Sequence, residues 1–99
     1  MKIKKLTAMP YAQAHIEIDD NGNKNLFSYV TLVASVTNDG WLTVYGLYSA
    51  TTRKHIGAFV KECSKGVLDY HTAKAAYNDN YSINVFTGEV IDLNGGDVE

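Results

Sequence analysis

Apolar and polar residues alternate from Ala12 to Asp19: Ala12, Ala14, Ile16 and Ile18 fall on one side, Gln13, His15, Glu17 and Asp19 on the other. That period of two predicts a half-buried β-strand. Asp20-Asn21-Gly22-Asn23 follows, and Asn-Gly readily takes the positive φ angles of a tight hairpin turn. Leu26 to Thr37 reads as the next strand, rich in β-branched and aromatic residues. Its even positions, Leu26, Val30, Leu32, Ala34 and Val36, make the expected core face, while Phe27, Tyr29 and Val33 suggest a central strand partly covered on both sides. Asn38-Asp39-Gly40 predicts a second hairpin turn. Trp41 to Tyr48 predicts a third strand, in which Gly46 marks a bulge or the close approach of another backbone.

The period then changes. Ile56, Phe59, Val60 and Cys63 stand at i, i+3, i+4 and i+7, the apolar stripe of an α-helix. Ser49 is its candidate N-cap, Gly66 its expected C-terminal stop, and Lys54, Ala58, Lys61 and Lys65 fall on the opposite side. A shorter helix is expected over Thr72–Tyr77, capped by Thr72 and stopped by Asn78-Asp79-Asn80. Tyr81, Ile83 and Val85 alternate as a strand, Thr87-Gly88 turns, and Val90–Leu93 returns as a short edge strand. The order β-β-β-α-α-β-β implies an α+β fold: a twisted antiparallel sheet of about five strands with one main and one short helix on one face. Residues 1–93 form a single domain in this reading, and 94–99 a frayed acidic tail.

Composition narrows the class. With 99 residues, 45% hydrophobic and 20% charged, the chain is an ordinary one-domain protein. No apolar run reaches the ~20 residues of a transmembrane helix, and the basic start is not followed by an apolar signal core. One cysteine, Cys63, excludes an internal disulfide and suits a reducing compartment. The expected location is the cytoplasm. The net charge of −2 conceals a polarity. Residues 53–74 carry Arg53, Lys54, Lys61, Lys65 and Lys74 against two acids, while residues 75–99 carry Asp79, Glu89, Asp92, Asp97 and Glu99 and no base.

Catalytic and metal templates find little to hold. Cys63 lies on the apolar stripe, where a buried thiol is inert, and His55 is read as a surface or helix-packing residue. His15, Cys63 and His71 are isolated in sequence, so no metal and no cofactor is expected. Asp19 and Asp20 flank a turn and serve it. Ser49, Thr51 and Thr52 at a helix start offer a weak anion site, which capping alone explains. No enzyme is expected. Two surfaces remain. Seven Tyr and one Trp suggest a protein-binding face, with Tyr29, Tyr45 and Tyr48 as anchors beside the acidic residues Glu89, Asp92, Asp97 and Glu99. Alternatively Arg53, Lys54, Lys61 and Lys65, set near tyrosines, suit a single-stranded nucleic acid.

Phe27-Ser-Tyr-Val-Thr-Leu-Val-Ala and Tyr48-Ser-Ala-Thr-Thr-Arg-Lys-His-Ile resemble a family of small uncharacterised proteins of phages, plasmids and conjugative elements in low-GC Gram-positive bacteria. Ser28, Tyr29, Thr31, Val33 and Ala34 carry the first string; Tyr48, Ser49, Thr51, Thr52, Lys54, His55 and Ile56 carry the second. Tyr70-His-Thr-Ala-Lys and Thr87-Gly-Glu-Val match more loosely. The resemblance implies an origin and brings no catalytic residues. Small proteins of such elements include inhibitors of host defence, anti-CRISPR proteins among them, so it implies a host protein such as a Cas nuclease as partner. An acidic edge of Glu89, Asp92, Asp97 and Glu99, joined by Glu17, Asp19 and Asp20, would then occupy a nucleic-acid channel or block a conformational step. The expected state is a monomer or a homodimer formed through an exposed strand edge, with no membrane contact.

Overall fold

The computed structural model describes residues 1–92. The elements run β1 (Lys2–Lys4), β2 (Ala14–Ile18), β3 (Lys24–Ser28), β4 (Thr31–Val36), β5 (Trp41–Val44), α1 (Ala50–Cys63), α2 (Tyr70–Asn78), β6 (Tyr81–Asn84) and β7 (Val90–Asp92). The strands form one antiparallel sheet in the order β1-β2-β3-β4-β5-β6-β7. Both helices enter between β5 and β6; α1 packs on β3 and β4, and α2 on β5 and β6. The α+β class and the layered architecture are those the hydrophobic pattern predicts.

The core lies between the helices and one face of the sheet. Ile16, Leu26, Ala34, Val36 and Leu42 come from the strands, and Ile56, Phe59, Val60 and Cys63 from α1, all buried. The predicted helical stripe is therefore the stripe that packs. Leu6, in the connection after β1, closes the core from the side.

The sheet has seven strands rather than about five, for two reasons. β1 is a three-residue, fully exposed strand whose Lys-Ile-Lys sequence carries too little pattern to announce itself. It is fastened by Glu62, which accepts from Lys4 Nζ at 2.6 Å and from the Thr7 N–H at 2.7 Å. The single strand expected over Leu26 to Thr37 is in fact two, hinged at Tyr29-Val30. Ser28 pairs with Thr31 across that two-residue turn, and Tyr29 takes φ +59°, the positive angle a II′-type turn needs at its first central position. No glycine announces the turn. In consequence Val30 is 92% exposed and Leu32 is also exposed, against the predicted core face, while Val33 is buried. A register shift opposite Leu26 and Phe27 lets Val33 and Ala34 both turn inward.

Three boundaries also move. β5 ends at Val44, and what approaches Gly46 is a side chain, not a backbone: a Cβ there would stand 2.4 Å from the Tyr48 ring. α1 is capped by Ser49 as predicted, but its left-handed C′ residue is Lys65 at φ +56°, with Gly66 one place later. Gly66 N–H donates to the Lys61 carbonyl and Lys65 N–H to that of Glu62, the paired bonds of a Schellman ending. α2 begins at Tyr70 rather than Thr72, because Asp69, not Thr72, accepts from the His71 N–H as cap. The predicted tail over 94–99 lies outside the described residues. Among those described, no helix is long and apolar enough to cross a membrane.

A candidate binding groove along the first helix

Lys54 and Lys61 stand on α1 opposite its apolar face, with Arg53 on the flank of the first turns and Lys65 just past the helix end, all exposed. α2 lies against the same helix. The contact is made at Gly57, where an added Cβ would stand 3.0 Å from the Cβ of Tyr70. A glycine inside a helix costs about 1 kcal/mol, and here it admits the first turn of α2. The two helices and the loop before β2 border three adjoining, open hollows. The first, of about 570 Å³, is lined by Tyr48, Arg53, Tyr70, Lys74, Tyr77 and Asn78, with Gly46 and Leu47 behind them. The second, of about 500 Å³, shares Arg53 and Tyr70 and adds Lys54 and Lys61 above an apolar floor of Met9 and Ala58. The third, of about 340 Å³, shares Ala58 and Lys61 and adds Lys65. Together they make one groove along α1, whose 14 residues span about 21 Å.

Five cations border this groove, and among the described residues none of them is ion-paired to a carboxylate. Arg53 is oriented by its Nε–H, which donates to the Leu47 carbonyl at 3.1 Å. Two acids reach the walls. Glu62 is neutralised by Lys4; burial pushes its carboxyl up, but the Lys4 ammonium and the Thr7 N–H overcome that and hold it below the usual value. Asp69 is engaged as the cap of α2. The hollow lined by the three tyrosines has no carboxylate in its wall.

Beneath the groove a buried polar cluster anchors the start of α1 to the sheet. Ser28 Oγ lies 2.8 Å from His55 Nδ1 and 3.2 Å from Thr52 Oγ1. The Ser49 hydroxyl donates to Thr52 Oγ1 and accepts the Thr52 N–H, both at 3.2 Å. Tyr29 leans over the imidazole, ring centroids 6.1 Å apart. Burial holds His55 below the ordinary histidine value. A serine hydrogen-bonded to a histidine has the outline of a nucleophile and its base. Here, however, the two are 2% and 1% exposed, and neither lines any part of the groove. The cluster holds two elements together.

The other expected residues are dispersed. Tyr29 and Tyr45 are exposed at the end of the sheet where β3 turns into β4 and β5 leaves for α1, and Tyr48 stands in the groove. Glu89 and Asp92 lie on the β6–β7 hairpin at the edge of the sheet, Glu89 in its turn and Asp92 paired with Tyr81. Asp97 and Glu99 lie outside the described residues. Of the anion-site trio, Thr52 is buried against Ser28, Ser49 is engaged with Thr52 as the helix cap, and Thr51 is exposed on the helix start without a part in that network. Asp19 accepts from the N–H groups of Asn21 and Asn23, the turn-forming duty expected of it. Cys63 is buried, and burial pushes its thiol up to about 11. His15 stacks on Phe27, His71 sits beside Asp69, and among the described residues no three His, Cys, Asp or Glu side chains converge as metal ligands. Tyr70, Lys74, Tyr77 and Asn78 were not expected in a site. Their spacing, i, i+4, i+7 and i+8, is one face of a helix, a signal hidden by starting α2 at Thr72.

No curated protein and no solved structure matches the chain. A family of unknown function (DUF8033) matches residues 1–80, a span that includes every residue named in the groove, and the chain belongs to that family.

Proposed function

We propose that this protein is a non-enzymatic binding module that holds a single-stranded nucleic acid along the α1 groove. The observation that carries this reading is the composition of the groove: Arg53, Lys54, Lys61, Lys65 and Lys74 without ionic partners among the described residues, joined by Tyr48, Tyr70 and Tyr77. Cations that follow a backbone and aromatic faces that accept any base are what sequence-tolerant single-strand binding requires. The overall negative charge is no obstacle, because among the described residues Asp19, Asp20, Asp39, Glu89 and Asp92 sit at turns or on the β6–β7 hairpin, outside the groove lining. The test is binding of a labelled oligonucleotide of ~12 nucleotides across a salt series. Contact with four phosphates gives a slope of log affinity against log salt of about −3. Lys54→Glu with Lys61→Glu should weaken binding and flatten that slope, while Glu89→Lys should leave both unchanged. Absence of binding at ~50 mM salt refutes the reading.

A second reading keeps a host protein, such as a Cas nuclease, as the partner, and makes the chain a host-defence inhibitor from a mobile element. It is favoured by the sheet face turned away from the helices, where Phe27 stacks on His15 and Leu32 and Ile91 stand exposed. Apolar anchors on a flat face suit a protein interface. Inhibition of a purified Cas nuclease that Leu32→Glu abolishes, and that the groove variants leave intact, would support it. Equal loss through the groove variants would count against it.

A further inference from the structure

We infer that the tyrosine hollow at the Tyr48 end of the groove is a subsite for one nucleotide unit. Its base would lie against Tyr48 and Tyr77, its phosphate on Arg53 and Lys74, and Asn78 would read the base edge. This rests on the nucleic-acid reading and adds a division of labour within it.

Two observations separate this hollow from the rest of the groove. It gathers three tyrosines, whereas the stretch bordered by Lys54, Lys61 and Lys65 has an alanine and methionine floor. Its volume, about 570 Å³, falls within the range of small-molecule sites, as does that of the adjoining hollow, about 500 Å³. Its wall also holds an uncharged side-chain amide, Asn78, the last residue of α2, and no carboxylate that would repel a phosphate.

The chemistry of each group fits its part. Two parts of the hollow are fixed from behind: the Tyr48 ring occupies the space that Gly46 leaves by lacking a Cβ, and Arg53 is held to the Leu47 carbonyl through Nε. That leaves the terminal nitrogens of Arg53 to meet a phosphate in a two-point contact. A carboxamide supplies a donor and an acceptor side by side, the pattern that matches N7 and the amino group of adenine. Adenylate is therefore the expected preference.

The unit recognised is the same whether it is a free mononucleotide or one residue of a strand, and the experiment separates the two. Titrate the full chain with AMP, CMP, adenosine and inorganic phosphate, and separately with a short oligoadenylate, following amide chemical shifts. AMP should bind more tightly than CMP, adenosine or phosphate alone, and should shift residues around Tyr48 and Tyr77. Tyr77→Ala should weaken AMP and oligonucleotide by about tenfold, with Lys74→Ala as a second variant should the first disturb folding. Lys65→Ala should weaken the oligonucleotide alone, and Asn78→Ala should erase the difference between AMP and CMP while both still bind. If the oligonucleotide binds but AMP does not, and Tyr77→Ala leaves its affinity unchanged, the subsite is overturned and the groove stands. If AMP and CMP bind equally well to the unaltered chain, base reading by Asn78 is overturned. If neither AMP nor the oligonucleotide binds, the nucleic-acid reading itself is what has failed.

Discussion

Ser28, the last residue of β3, lies 2.8 Å through its hydroxyl from the Nδ1 of His55, on the second turn of α1, and both are sealed from solvent. This bond joins the two strings that carry the family resemblance, Ser28-Tyr29 and Tyr48-Ser-Ala-Thr-Thr-Arg-Lys-His55, which stand on separate elements. Replacing Ser28 by alanine would leave the imidazole nitrogen and the Thr52 hydroxyl short of a partner. An unsatisfied buried polar group costs about 1–3 kcal/mol, so the urea midpoint of Ser28→Ala should fall accordingly. In a double-mutant cycle Ser28→Ala and His55→Ala should couple, since they share one network. Simple additivity would mean that the pair does not hold α1 to the sheet.

The same histidine makes stability depend on pH. Burial lowers its folded-state value beneath the ordinary 6.5, so as pH drops through 6.5 the unfolded chain takes up a proton that the folded chain refuses. Stability should therefore be full above about pH 6.5 and decline below it, at no more than about 1.4 kcal/mol per pH unit for one proton. Glu62 and Asp19, both held below their ordinary carboxylate values, add losses only at lower pH, beginning near 4.5 and 3.8. Chemical denaturation from pH 7 to 5 should show the slope in the native sequence and lose it in His55→Gln. A slope that survives the substitution assigns it to another group.

Lys65 occupies a left-handed backbone position at the end of α1, where a side chain with a Cβ is disfavoured by about 1–2 kcal/mol. Glycine would relieve that penalty and add some freedom to the unfolded chain. Lys65→Gly should thus be stabilising by roughly 0.5–1 kcal/mol, seen as a higher melting temperature, while weakening oligonucleotide binding through the lost cation. Opposite movement of stability and affinity in one variant would distinguish a groove contact from general damage. A melting temperature below that of the parent would show that the lysine stem packs usefully where it stands.

Cys63 should resist thiol reagents. The thiolate is the reactive species, and a thiol raised to about 11 and 7% exposed offers little of it at pH 8. Labelling by iodoacetamide should be slow for the native chain and rapid in denaturant. Fast native labelling would mean that the end of α1 opens readily.

What the sequence disclosed depended on how local each cause was. Asn21-Gly22 and Asp39-Gly40 announce their turns because glycine supplies the conformation, and the Ile56-Phe59-Val60-Cys63 stripe announces α1 because the helical period is short. The turn at Tyr29 was hidden because an aromatic residue takes the glycine-like angle, so the strand around it reads as unbroken. The groove was half legible. Arg53, Lys54, Lys61 and Lys65 follow from the helical period, whereas Tyr70, Lys74, Tyr77 and Asn78 join them only because α2 docks at Gly57. That mid-helix glycine was the local hint: a costly residue in a helix interior signals that something lies close. His55 could not be read as buried from its neighbours alone, since its partner Ser28 comes from a distant strand.

The strand order, in which neighbours along the chain are neighbours in the sheet, has a consequence for how the molecule is made. All pairings but one close over a connection of nine residues or fewer; the exception, Trp41 with Asn84, must wait for both helices. During synthesis the first five strands can therefore assemble as soon as they emerge. Until α1 follows, that half-sheet turns Leu26, Ala34, Val36 and Leu42 towards water. Partly covered sheets of this kind are prone to associate, so a nascent chain halted just short of Ala50 is the form in which a chaperone would find most to grasp.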